Sequence, residues 1–159
     1  MPGQRASFNM KLPKIACTVF VALGWGLSGV ADTKDSSENI ISEREDGNFT
    51  LYVSNQSLAL TPVDVTILID GKRAVSGNFD VGRGENAQHR RIKHVLALTP
   101  GKHQLKILSK KGAATLEKEI EIKGKHWAVV DYWYYPESHY SPKPKQFSFD
   151  IQDKPIEFE

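Results

Sequence analysis

Residues 63–81 read VDVTILIDGKRAVSGNFDV, and this stretch decides the fold. Val63, Val65, Ile67 and Ile69 alternate with Asp64, Thr66, Leu68 and Asp70, a period of two that places one set of side chains on one face of an extended strand. Asp70-Gly71 then supplies a tight turn, because glycine accepts the positive φ that a two-residue hairpin loop requires. The chain returns with Val75, Phe79 and Val81 on a single side. The result is an antiparallel hairpin with one apolar and one polar face.

The same grammar recurs outward from the hairpin. Phe49, Leu51 and Val53 alternate with Thr50, Tyr52 and Ser54 upstream. Downstream, Ile92 to Leu98, His103 to Ser109, Thr115 to Ile122, His126 to Tyr135 and Phe147 to Ile151 each read as strands, separated by Thr99-Pro100-Gly101, Lys110-Lys111-Gly112 and Gly124-Lys125. No stretch sustains a 3.6-residue apolar period. Seven to eight short strands at spacings near ten residues predict an all-β fold, a single antiparallel immunoglobulin-like β-sandwich over residues 47–159. The proline-rich loop Pro136 to Lys145 is expected to lie outside any central strand.

Ahead of this body, residues 1–31 carry Arg5, Lys11 and Lys14, no acidic residue, and an apolar run from Ile15 to Val30 that closes on small residues at Gly29 and Ala31. That is the layout of a cleaved signal peptide, and the run is shorter than the roughly 20 residues a bilayer span needs. Met10 opens an equally complete leader. Residues 32–46 are polar and acidic, and are expected to form a flexible tether. The mature part is therefore expected to be exported, periplasmic or extracellular, with no membrane span.

The full chain has 21 Lys+Arg against 19 Asp+Glu. Removing the leader leaves 18 against 19, so the apparent basicity belongs to the leader and no electrostatic case for a nucleic-acid partner remains. Cys17, the only cysteine, leaves with the leader, so the mature domain must be held by its core without disulfides. Two sequons, Asn48-Phe49-Thr50 and Asn55-Gln56-Ser57, read as chance triplets.

Val65-Thr66-Ile67-Leu68-Ile69-Asp70-Gly71-Lys72, followed later by Leu98-Thr99-Pro100-Gly101-Lys102-His103-Gln104-Leu105-Lys106-Ile107, resembles the strand, Asp-Gly turn, strand, Leu-x-Pro-Gly-x-His pattern of small β-domains of the PEGA, carboxypeptidase-regulatory-like and immunoglobulin-like groups. The resemblance spans about forty residues and implies an extracytoplasmic, non-catalytic domain used for adhesion, assembly or envelope attachment.

His126-Trp127-Ala128-Val129-Val130-Asp131-Tyr132-Trp133-Tyr134-Tyr135 concentrates six rings in ten residues. Alternation places Trp127, Val129, Asp131, Trp133 and Tyr135 on one face and His126, Ala128, Val130, Tyr132 and Tyr134 on the other. The expectation is that a tryptophan, Trp127 or Trp133, fills the core. Tyr132 and Tyr134 would then face solvent, and with His139 and Tyr140 from the following loop would contact a protein partner or an envelope polysaccharide. Asp131 on the tryptophan face would be a buried carboxylate in need of a partner.

Candidate chemistry is sparse. His89 and His94 fall on opposite faces of one strand, and His103 follows a turn as a surface residue, so no metal site and no cofactor is expected. A small hydrolase would require His126, Asp131 and His139 to converge. The basic run around Arg90 and Arg91 reads as an edge strand guarded by charge. The function expected is a non-enzymatic binding or structural module of the envelope, protein interaction first and carbohydrate binding as the alternative.

Overall fold

Asp70 and Gly71 both adopt positive φ, 51° and 76°, and the hairpin closes as the alternation predicts. In the computed structural model, which describes residues 39–81, 90–137 and 141–158, eight strands form. They are β1 (Phe49–Asn55), β2 (Val63–Ile69), β3 (Lys72–Phe79), β4 (Ile92–Leu96), β5 (Gly101–Ser109), β6 (Ala114–Ile122), β7 (His126–Tyr135) and β8 (Lys143–Gln152). A bulge opposite Ile67 and Leu68 inserts Ala74 into β3, which is why Ala74 and Val75 are both buried although adjacent.

The strands form two four-stranded sheets, ordered β4-β1-β7-β8 and β3-β2-β5-β6. Their inner faces make one core. Phe49, Leu51, Val53, Leu96, Ala128, Val130, Tyr132 and Phe147 from the first sheet are buried with Val63, Val65, Ile67, Ile69, Leu105, Ile107, Ile120 and Ile122 from the second. Stacked sheets of this kind lie about 10 Å apart, filled by alternate side chains.

Every neighbouring pair is antiparallel except one: β1 runs parallel to β7, Val53 lying beside Val130. All of β2 to β6 intervenes between them, satisfying the long crossover that parallel neighbours require. Because β1 carries Phe49, Leu51 and Val53 inward, this register also turns Ala128, Val130 and Tyr132 inward.

The expected tether differs in part. Residues 32–38 lie outside the described residues, but Ile40 bridges Arg73 of β3 and Glu43 bridges Leu96 of β4. Ile41 N donates to Arg73 O at 2.9 Å and Arg44 N to Val95 O at 2.8 Å. Ile41 packs against the core while Ile40 stays exposed, and the segment laces the open edges of both sheets along one side of the sandwich. The proline-rich segment likewise yields a strand sooner than expected. β8 begins at Lys143 and tolerates Pro144 because it is an edge strand.

Both sequon asparagines work inside the fold. Asn48 Nδ2 donates to Leu98 O at 3.0 Å, while Asn55 is 2% exposed and donates to Leu60 O at 2.8 Å. Among the described residues no helix is long and apolar enough to cross a membrane.

Candidate functional site

The outer faces of the two sheets are built differently. On the β5/β6 surface, Lys102, Gln104 and Lys106 stand in register with Glu121, Glu119 and Glu117, and Lys102–Glu119 and Lys106–Glu117 pair at 2.7 Å each. Such exposed pairs contribute roughly 0–1 kcal/mol and mark an ordinary solvated face. The outer face of the other sheet instead carries Tyr52, Trp127, Val129, Trp133 and Tyr135, all half-buried.

Trp133 and Tyr135 lie 6.2 Å apart, and the Trp133 indole donates to Ser148 Oγ at 2.9 Å. Lys143 sits 4.0 Å above the same indole. The Tyr135 hydroxyl donates to the Gln56 carbonyl.

Asp131 lies at the centre of this face and is only 8% exposed. Ser54 Oγ donates to its Oδ1 at 2.5 Å, and Gln56 Nε2 donates in turn to Ser54 Oγ at 2.7 Å. Arg91 Nε stands 3.8 Å from Asp131 Oδ1, beyond hydrogen-bonding distance, and is buried without a partner. Above the arginine lies Phe158, whose ring is 4.4 Å from the guanidinium carbon and 4.9 Å, edge-on, from Tyr52.

The expected contact residues are placed differently by the fold. Tyr132 is fully buried, so it does not face solvent; its hydroxyl crosses the core to donate to Gly112 O at 3.0 Å, and its ring packs edge-on against Phe147 at 5.5 Å. A tyrosine can occupy a core when its hydroxyl finds an acceptor there. Burial pushes its phenol above the ordinary 10.0, with Tyr134 and Asp64 adding to the rise. Tyr134 shares the inner side, half-buried at the end of the sandwich beneath Lys145. His139 and Tyr140 lie outside the described residues. The tryptophans expected in the core are on the outer face.

His103 is a second correction. It is 7% exposed rather than on the surface, with Nδ1 2.6 Å from Asp70 Oδ2 and Nε2 2.8 Å from Thr99 O. Burial is the largest single influence and pulls its pKa down, but the Thr99 carbonyl and Asp70 carboxylate together raise it above 6.5. Asp70 is lowered from 3.8 by the Gln104 amide first and by His103 second. The pair ties the β2–β3 hairpin to the start of β5.

His126 and Asp131 point to opposite faces of β7, so they do not converge, and His126 Nε2 accepts from Lys123 N. His94 faces inward, its Nδ1 2.5 Å from Glu43 Oε1 and its Nε2 buried without a partner. Among the described residues no group of three or more His, Cys, Asp or Glu could hold a metal ion. The Arg91–Phe158 contact escaped the sequence because it joins a basic run to a lone aromatic in a polar tail. That lone ring was the only available signal.

No protein-family model, curated protein or solved structure gives a match to the chain. Fold and site together define a class: an eight-stranded β-sandwich with one charged outer face and one aromatic one.

Proposed function

We propose that the chain is an exported, non-enzymatic binding module of the envelope or periplasm that recognises a protein partner through the outer face of the β4-β1-β7-β8 sheet. One observation carries this reading: Tyr52, Trp127, Trp133 and Tyr135 gather half-exposed on one outer face, while the opposite outer face is a lattice of Lys–Glu pairs. A sandwich strand that packs on the core needs only one apolar face, and aromatics on the second supply large contact area at low entropic cost. Export rests on the basic-then-apolar layout of residues 1–31.

A protein partner fits better than a sugar. Lys143 already lies over the Trp133 indole, and Tyr132, half of the expected stacking pair, is in the core. Asp131 accepts from Ser54 Oγ and is faced by Arg91, while His126, the histidine of the same strand, lies on the opposite face.

Photo-crosslinking residues placed at Trp127 or Trp133 in the exporting cell test the reading, with position 104 on the charged face as control. Protease-sensitive adducts of one mass from 127 and 133, absent from 104, are expected. Equal labelling from both faces, or adducts resistant to protease, would overturn the assignment. Intact mass of exported protein is expected to lack residues 1–31 and to carry no acyl group; retention of the leader would end the export reading.

A further inference from the structure

We propose that Tyr52, Arg91 and Asp131 form a docking notch for an aromatic residue in an extended peptide segment of the partner, and that the chain's own Phe158 holds this notch in the free protein. The proposal rests on the assignment of the aromatic face as the interaction surface and names the chemistry of what it takes.

Phe158 is not a core residue, since 41% of its surface remains exposed. The polar groups on the far side of Arg91 are far drier: Asp131, 3.8 Å from Arg91 Nε, is 8% exposed, and Ser54, which donates to it, is 1% exposed. The ring packs edge-on with Tyr52 and lies with its face against the Arg91 guanidinium. A cation over an aromatic face contributes about 0.5–1 kcal/mol at such a partly exposed site.

Among the described residues, no backbone–backbone hydrogen bond ties the tail to the sheet. Beyond β8, the hydrogen bonds made by Asp153 to Phe158 among the described residues run from Gln152 Nε2 to the carbonyls of Lys154, at 3.0 Å, and Pro155, at 3.3 Å. Both are local to the tail, and Pro155 has no N–H to give. The segment is therefore fastened to the sheet by side chains, in the manner of a strap that another chain can replace.

The notch is also left one acceptor short. Arg91 Nε is buried with no hydrogen-bond partner, and Asp131 Oδ1 at 3.8 Å is too far to serve. A buried donor without a partner is costly, so a ligand that brings an acceptor beside its ring gains more here than Phe158 does. An extended peptide offers that combination: an aromatic side chain for the notch and main-chain carbonyls next to it. The tail acts as an intramolecular competitor at an effective concentration on the order of millimolar, which lowers the apparent affinity of any segment arriving from outside.

The test is a titration with an amidated synthetic peptide of the tail sequence, Asp-Lys-Pro-Ile-Glu-Phe, followed by NMR at the Arg91 Nε–H, the Trp133 indole and the Tyr52 amide. Phe158→Ala is expected to bind it at least ten-fold more tightly than the wild type. A peptide with Ala in place of Phe is expected not to bind, and adding Arg91→Gln to Phe158→Ala is expected to remove the gain. Thermal melts of each variant establish that the fold is retained; Phe158 lies on the surface, so Phe158→Ala keeps the domain folded. Equal affinity for wild type and Phe158→Ala, or no saturable shift at several millimolar peptide, would overturn the proposal. Shifts in Phe158→Ala produced by a neutral glucan oligosaccharide but not by the peptide would overturn it in favour of a sugar occupant. Crosslinking to a protein that continues undiminished alongside a failed peptide titration would keep the face and reject the notch.

Discussion

Tyr132 and Trp133 are neighbours on one strand, and exchanging each for alanine measures which side of β7 is the core. Tyr132 is fully buried, so Tyr132→Ala removes a whole ring from between the sheets and leaves Gly112 O without its donor. Ring-to-alanine changes in a core cost about 3–5 kcal/mol. The hydroxyl accounts for a smaller share: Tyr132→Phe, which keeps the ring, is expected to cost about 1–2 kcal/mol as a buried acceptor loses its partner. Trp133→Ala loses half-buried packing, a bond to Ser148 and the Lys143 contact, together about 1–2 kcal/mol. A domain of this size is stable by roughly 6–18 kcal/mol, so the Tyr132→Ala loss is large enough to move the urea midpoint clearly at constant slope. Far-UV circular dichroism is the appropriate signal, because it does not depend on the tryptophan being removed. If Trp133→Ala costs as much as Tyr132→Ala, or if the latter costs less than about 1 kcal/mol, the tyrosine face is not the core and the register of β1 with β7 is refuted. Because burial raises the Tyr132 pKa above 10.0, the stability it supports is complete below pH 10 and is lost as pH rises through the folded value; Tyr132→Phe should flatten that alkaline decline.

The His103–Asp70 pair should make stability depend on pH from both sides. His103, raised in the fold, contributes fully below pH 6.5 and loses its contribution as pH climbs through the folded value; Asp70, lowered, contributes above pH 3.8 and loses it as pH falls. The stability gap between wild type and His103→Gln should thus be widest between those values and narrow towards pH 8, and a gap that widens with pH would contradict the pairing. Gly112→Ala should cost about 1–3 kcal/mol, because the new Cβ would stand 2.5 Å from Ser109 Oγ, 2.8 Å from Tyr132 Cε2 and 2.9 Å from Val63 Cγ2. That cost should shrink in a Tyr132→Ala background, and strict additivity would show that the two residues are not in contact. In hydrogen exchange, the amides of Ile41 and Arg44 should be protected, since they donate to Arg73 O and Val95 O; exchange at random-coil rates would mean that the segment does not dock in solution.

Alternation made most of the fold legible. Where one face is apolar and the other polar, as in Val63 to Ile69, the period of two leaves a single answer, and those side chains are in the core. β7 fails that condition. Trp127, Val129, Trp133 and Tyr135 on one side are as apolar as Ala128, Val130, Tyr132 and Tyr134 on the other, so periodicity gives two registers and no preference. What breaks the tie is non-local: Val53 beside Val130, and a carbonyl at Gly112 on a distant hairpin waiting for a hydroxyl that tyrosine has and tryptophan lacks. His103 escaped for the same reason. A histidine next to a Pro-Gly turn reads as surface until the Asp70 turn is brought against it from another hairpin.

The same ambiguity that hid the core is what exposes the candidate site. A strand apolar on both faces leaves one face uncovered once the other has packed, and the chain covers that remainder incompletely. The tail brings Phe158 to Tyr52 and Arg91, Lys143 lies on Trp133, and Trp127 and Tyr135 stay half-exposed. If the outer aromatics served stability alone, replacing Trp127 by a polar strand-former such as threonine would cost more than the about 0.5 kcal/mol typical of surface substitutions. On the interaction reading the change is nearly silent in a melt and instead removes crosslinking from the neighbouring position 133. A large loss of stability with crosslinking intact would assign these rings to the fold and leave the face without a partner.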